Sequence, residues 1–336
     1  MSLDLHKELN VVDGLIITSG ERRQLEQMIA GGLTAANVTC SVWDGFRSTM
    51  ERIAAWKQCF VDNADLCLQV KTAADIRRAK AEGKVGIILG WQNTSAFEDQ
   101  IPFVRLFHEL GVRIAQLTYN TQNLLGSGCY ESRDSGLSDF GRQIIDEMNA
   151  VGILIDLSHV GPLTSEETVT YSKRPVCYTH VASRALKDHP RNKSDAQLRQ
   201  LVDRGGFVGA TFFTSFMRTG TEATIDDCLE VIEHMIGVAG EQNVGFGTDI
   251  RVNYPTWSPY WKHDSHPMIY WQNDKGYARE LTSFISSTVR YPGGLTDYTG
   301  YPKFTAAMQA RGWPPSRIRN VMGDNWIRFL DQAWSV

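Results

Sequence analysis

Short apolar runs alternate along this chain with longer stretches in which apolar residues return every three or four positions. The runs at 11–17 (VVDGLII), 35–43, 85–90, 113–119, 153–159 (ILIDLSH), 175–180 (PVCYTH), 206–213 and 244–250 (VGFGTDI) predict strands. The stretches at 47–60, 75–83, 103–111, 139–152, 194–206 and 224–240 predict amphipathic helices. Several helix ends are readable. Ser138 or Asp139 can cap the helix that Gly152 closes, Ser194 precedes the next, and Thr224 opens the last with Asp226 and Asp227 in its first turn.

Strands that alternate with helices over short connections must run parallel, joined by right-handed crossovers. Eight such strands fit a closed (β/α)8 TIM barrel of the α/β class better than an open doubly wound sheet. No GxGxxG follows the first strand, which argues against the dinucleotide-binding alternative. A ninth run, LCLQV at 66–70, is short and is expected outside the barrel. The segments 276–289, 301–312 and 316–334 read as extra helices packed on the barrel's outside. No internal repeat and no Pro- or Ser-rich linker appears, so residues 1–336 are expected to form one domain.

Composition narrows the class. A chain of 336 residues, 42% hydrophobic and 21% charged, can bury a large core. The net charge of −4 and the absence of a Lys/Arg block remove the electrostatic footprint of a nucleic-acid binder. No run approaches the roughly 20 apolar residues a membrane crossing needs. The first residues are charged, unlike a secretory leader, and WIRFLDQAWSV lacks an anchor-signal tail. Six scattered cysteines without a CxxC pair read as reduced thiols, which suits the cytoplasm. The expected partner is a small-molecule substrate, and a homodimer is the one protein assembly considered.

In a parallel barrel the reactive residues stand at the C-terminal ends of the strands. Here those ends carry Gln92 and Asn93, Tyr119 and Asn120, His159, His180 and Asp249. Directly after His180 follow Arg184, His189, Arg191 and Asn192. One histidine at a strand end is usually a hydrogen-bonded structural residue. Two, ending consecutive strands with an aspartate at a later one, form a donor set that can hold Zn²⁺ at roughly 2.0–2.2 Å. A carboxylate beside a water there can take its proton. Weaker candidates are HDSH at 263–266, and the aromatics between Tyr254 and Trp271, which wall a pocket or pack as a lid. His6, His108 and His234 read as packing or surface residues, and Asp156 as a residue that orients a neighbour or caps a loop.

Three stretches carry a resemblance: LSDFGRQIIDEMNAVGILIDLSHVG, PVCYTHVASRALKDHPRNKSDAQLRQLVDRGGFVG and VGFGTDI. Together they resemble the membrane (renal) dipeptidase family of the metal-dependent amidohydrolase barrels. The resemblance implies that His159 and His180 bind one of two zinc ions, that Arg191 holds the substrate's terminal carboxylate, and that Asp249 is the acid/base. It also exposes departures. The family's opening HxD pair falls on Leu15 and Ile17, its bridging glutamate on Gln92, and a further histidine on Tyr119. Leucine and isoleucine have no donor atom and glutamine brings no charge, so at most one zinc ion is expected, with Gln92, Tyr119, Arg191 and Asn192 lining the substrate side. Two functions follow: a dipeptidase-like hydrolase of a small amide bearing a carboxylate, or a barrel that has lost peptidase activity and takes a methylated amine or zwitterion.

Overall fold

The computed structural model describes residues 2–251 and 291–335. The 263–266 histidines, the 254–271 aromatics and the 276–289 helix lie outside the described residues. The strands are β1 (Val12–Ile17), β2 (Ala35–Thr39), β3 (Cys67–Gln69), β4 (Val85–Trp91) and β5 (Val112–Gln116), followed by β6 (Leu154–Asp156), β7 (Cys177–Val181), β8 (Phe207–Ala210), β9 (Val244–Phe246) and β10 (Ile250–Arg251). All pair in parallel, in the order β10-β1-β2-β4-β5-β6-β7-β8-β9. β9 and β10 are the two halves of one run: Val244 pairs with Val208 on β8 and Ile250 with Ile16 on β1. That run closes the (β/α)8 barrel. The expected strand at 244–250 is therefore present but broken, because Asp249 takes a left-handed backbone with φ of 57°.

β3 lies off the barrel's closing path, as expected, and is hydrogen-bonded to β4, Cys67 opposite Val85. The floor of the barrel is a layer with one side chain from each of seven strands: Val12, Ala35, Ile88, Ile114, Leu154, Cys177 and Phe207. Trp326, from the helix Asn325–Trp334, plugs that floor and donates its indole N–H to Phe246 O at 2.9 Å. A Cβ on Gly14 or Gly245 would come within 2.5 or 2.7 Å of this ring, so both positions require glycine. The C-terminal segment thus seals one end of the barrel instead of only lying along its outside.

The helices at 46–62, 73–82, 102–110, 139–151, 195–203 and 225–239 match the expected stretches, and three more were not anticipated: Ser2–Glu8, Arg22–Ala30 and Pro162–Tyr171. Ser138 caps the helix after β5, accepting from Gly141 N, and Ser194 does the same from Gln197 N. All six cysteines are buried. No helix among the described residues is long and apolar enough to cross a membrane.

Candidate active site

The residues expected from the sequence do converge at the C-terminal ends of the strands. The β6 chain leaves the sheet after Asp156, whose carboxylate accepts Ser158 N at 3.0 Å and turns the backbone. That turn delivers His159. β7 delivers His180 directly. Both imidazoles are buried, and their Nε2 atoms face each other at 3.0 Å. On the far side of each ring, His159 Nδ1 meets Asn120 Oδ1 at 2.6 Å and His180 Nδ1 meets Thr179 Oγ1 at 2.7 Å. If both Nδ1 atoms donate, two lone pairs face one place, an arrangement that suits a cation. Burial, with Arg191 and Lys193 nearby, holds both imidazoles well below their ordinary pKa, so both rings are neutral.

Tyr119 stacks on His159 with centroids 4.1 Å apart, and Trp43 stands edge-on to Tyr119 at 5.2 Å. Asn120, at the end of the same segment, takes a φ of 63°. Gln92 donates Nε2–H to Thr39 Oγ1 at 2.9 Å, while its Oε1 has no hydrogen-bond partner among the described residues. Gln116 links the two regions: its amide donates to Gln92 O and Thr118 O, and its Oε1 accepts His159 N.

Arg191 is fully buried. Its Nη1 donates to Ser158 O at 2.5 Å and its Nη2 to His180 O at 2.8 Å, so the guanidinium ties together the loops that carry both histidines. Its Nε has no partner among the described residues. Asn192 donates to the carbonyls of Ser183, Lys187 and Phe216, which pins its own loop. Lys193 is also buried, donating to Val160 O at 2.6 Å, and desolvation lowers its ammonium to about 7.

Asp249 keeps part of its surface accessible, yet desolvation by the surrounding protein is the dominant influence and raises its carboxyl to about 7. Arg191 draws it back down and Asp13 pushes it further up, which puts all three charges in one neighbourhood. The backbone N–H of Asp249 donates to Leu15 O at 2.9 Å. Asp13, a residue that sequence reasoning left unassigned, accepts from Leu15 N, Thr248 N, Thr248 Oγ1 and Tyr301 Oη. Burial raises its carboxyl to about 6 against those four hydrogen bonds. Asp156 plays the neighbour-orienting part expected of it, bonding Ser158 and Thr179. His6 and His234 are packing residues, bonded to Thr305 and Asp195 respectively.

The donor chemistry decides which metals could be held. Leu15 and Ile17 offer none, so these residues do not fit a first ion at the β1 corner. The imidazole pair fits one ion in part. No group of three or more His, Cys, Asp or Glu among the described residues is placed to hold a metal.

Comparison with known proteins agrees with the geometry. Residues 4–254 match the family model for membrane dipeptidase, peptidase family M19. An uncharacterized dipeptidase of Schizosaccharomyces pombe is 35% identical over 211 residues, covering 60% of this chain and 50% of that protein. The chain thus spans about half the length of this curated relative. Among solved structures, an amidohydrolase from Pseudomonas aeruginosa is 48% identical with a TM-score of 0.90, covering 100% of this chain and 99% of that one. A metallopeptidase from Rhodobacter sphaeroides, liganded with a phosphinate mimic of the dipeptide L-Ala-D-Ala, shares the fold at 20% identity, with a TM-score of 0.79 over 97% of this chain and 99% of that one.

Proposed function

The chain belongs to the membrane dipeptidase family, peptidase family M19, and on that premise we propose that it hydrolyses a small amide or dipeptide bearing a free carboxylate, with at most one metal ion. The observation that carries this reading is the opposed pair of Nε2 atoms of His159 and His180, 3.0 Å apart. His159 and His180 would hold that ion, which supplies a Lewis acid at the scissile amide when bound. Gln92, whose Oε1 is unengaged among the described residues, is the further donor within the barrel.

The remaining steps belong to the chain itself. Asp249, raised to about 7, accepts a proton from the attacking water and returns it to the departing amine. A C–O bond forms and the C–N bond breaks. The buried charge of Arg191, with its Nε unengaged among the described residues, draws in the substrate carboxylate. Tyr119 and Trp43 form an aromatic wall beside His159. The same wall supports the second reading, a site for a methylated amine or zwitterion held by cation–π contact.

The test is a panel of dipeptides, N-acyl amino acids and betaine-like amines offered to protein stripped of metal and reloaded with zinc. Hydrolysis of a carboxylate-bearing amide that depends on reloading supports the proposal. Binding of an amine with no hydrolysis of any amide would replace it with the second reading.

A further inference from the structure

Two buried aspartates outside the ligand pair are saturated with donors, and they are built alike. Asp156 Oδ1 accepts Ser158 N at 3.0 Å, Ser158 Oγ at 2.6 Å and Thr179 N at 2.9 Å, while Oδ2 accepts Thr179 Oγ1 at 2.6 Å. Asp13 Oδ1 accepts Leu15 N at 3.0 Å and Thr248 N at 2.9 Å, while Oδ2 accepts Thr248 Oγ1 and Tyr301 Oη at 2.7 Å each. Each aspartate bonds the backbone two residues ahead and grips a threonine on the neighbouring strand. Each threonine directly precedes a site residue, His180 in one case and Asp249 in the other.

At β7 the grip reaches the imidazole itself. A hydroxyl carries one hydrogen. That of Thr179 goes to Asp156 Oδ2, because a carboxylate with three other donors around it can only accept. Towards His180 Nδ1, 2.7 Å away, Thr179 Oγ1 therefore presents a lone pair. The hydroxyl of Ser158 is also committed to Asp156, and its oxygen is 3.3 Å from Thr179 Oγ1, so no second hydroxyl hydrogen competes. The ring hydrogen of His180 must then sit on Nδ1, which leaves Nε2 bare and facing His159.

We propose that Asp156 and Thr179 are positioning residues that fix His180 as its Nδ1–H tautomer and so keep Nε2 available as a donor to a cation. The use of that donor rests on the hydrolase reading above. The tautomer itself is a property of the metal-free chain and stands or falls independently. A pair that merely joined β6 to β7 would leave the ring hydrogen indifferent to the threonine hydroxyl. Removing that hydroxyl instead deprives Nδ1–H of its acceptor, and the hydrogen moves to Nε2, where His159 Nε2 can receive it.

The experiment is a long-range ¹H–¹⁵N correlation on the full metal-free chain with ¹⁵N-labelled histidines, the His180 signals identified by their loss in His180→Asn. Wild type and Thr179→Ser should show Nδ1–H, and Thr179→Val should show Nε2–H. Zinc affinity by chelator competition should fall about 10–100-fold in Thr179→Val and recover in Thr179→Ser, the range usual for partners that orient metal ligands. An Nε2–H tautomer in wild type, an unmoved tautomer in Thr179→Val, or unchanged zinc affinity in that variant would each overturn the proposal. If Thr179→Val does not fold, the wild-type tautomer decides alone. Failure to find a hydrolysed substrate would count against the hydrolase reading and leave this result untouched.

Discussion

At the β6–β7 corner Asp156 holds Thr179, and the next residue is a histidine whose Nε2 faces that of His159 at 3.0 Å. At the β1–β10 corner Asp13 holds Thr248, the next residue is Asp249, and the side chains alongside are Leu15 and Ile17. The hydrogen-bonded frame is the same in both places, and only one of them carries imidazoles. The frame and the ligands are therefore separable. Loss of donor atoms at β1 has not loosened the strand end, since Leu15 still bonds Asp249 through its backbone carbonyl. The proposed base thus keeps its place beside a corner where Leu15 and Ile17 offer no donor atom.

The largest effect expected from breaking this comparison is at Asp249. Asp249→Asn keeps a residue type that tolerates the left-handed backbone and removes the proton acceptor. Turnover should fall by about 10²–10⁴-fold with substrate affinity near wild type, measured by steady-state kinetics and calorimetry. An active Asp249→Asn would show that the carboxylate at the β1–β10 corner is not the base.

Next come the imidazoles. His159→Ala and His180→Ala should each abolish tight zinc binding, read by metal analysis after dialysis, because one remaining imidazole cannot retain the ion. Retention of zinc by either variant would place the ion elsewhere.

Arg191→Lys probes what ties the β6–β7 corner together. Lysine cannot span both Ser158 O and His180 O, and buried charged hydrogen bonds contribute about 1.5–3 kcal/mol each. The variant should lose about that much stability in urea denaturation and bind a carboxylate substrate about 10–100-fold more weakly. A stability loss with unchanged affinity would confine Arg191 to holding the loops.

The pH dependence is gentler. Asp249 must be ionised to act as a base, so kcat/KM should rise through about pH 7, well above an ordinary aspartate. The sign for folding is opposite. A carboxyl raised in the folded chain favours its neutral form, so its contribution to stability is complete below about 4 and is lost as pH climbs towards 7. A rate profile flat between pH 5 and 8 would contradict this assignment.

Much of this site could be read from the chain before its fold was known, and the limits have physical causes. His159, His180 and Asp249 end apolar runs, and a strand end in a parallel barrel is a position with few uses other than the site. The grips of Asp13 and Asp156 could not be seen, because each partner threonine is fixed by strand pairing across the sheet. Their local half was visible: an aspartate two residues before a backbone N–H it can accept, as in DGL and DLS. The helix Pro162–Tyr171 has no sequence signal because its buried face is Thr164, Ser165, Thr168 and Val169, whose one apolar residue sets no period. The sealing of the barrel by Trp326 was equally hidden, since it depends on Gly14, Gly209 and Gly245 standing on three different strands.

We propose that the β6–β7 corner binds an ion and the β1–β10 corner does not. Zinc titration of the stripped protein, followed by elemental analysis after dialysis, tests it most directly. One tightly held ion per chain, lost in His180→Ala and not raised to two by Gln92→Glu, is expected. Two tightly held ions per wild-type chain would contradict it.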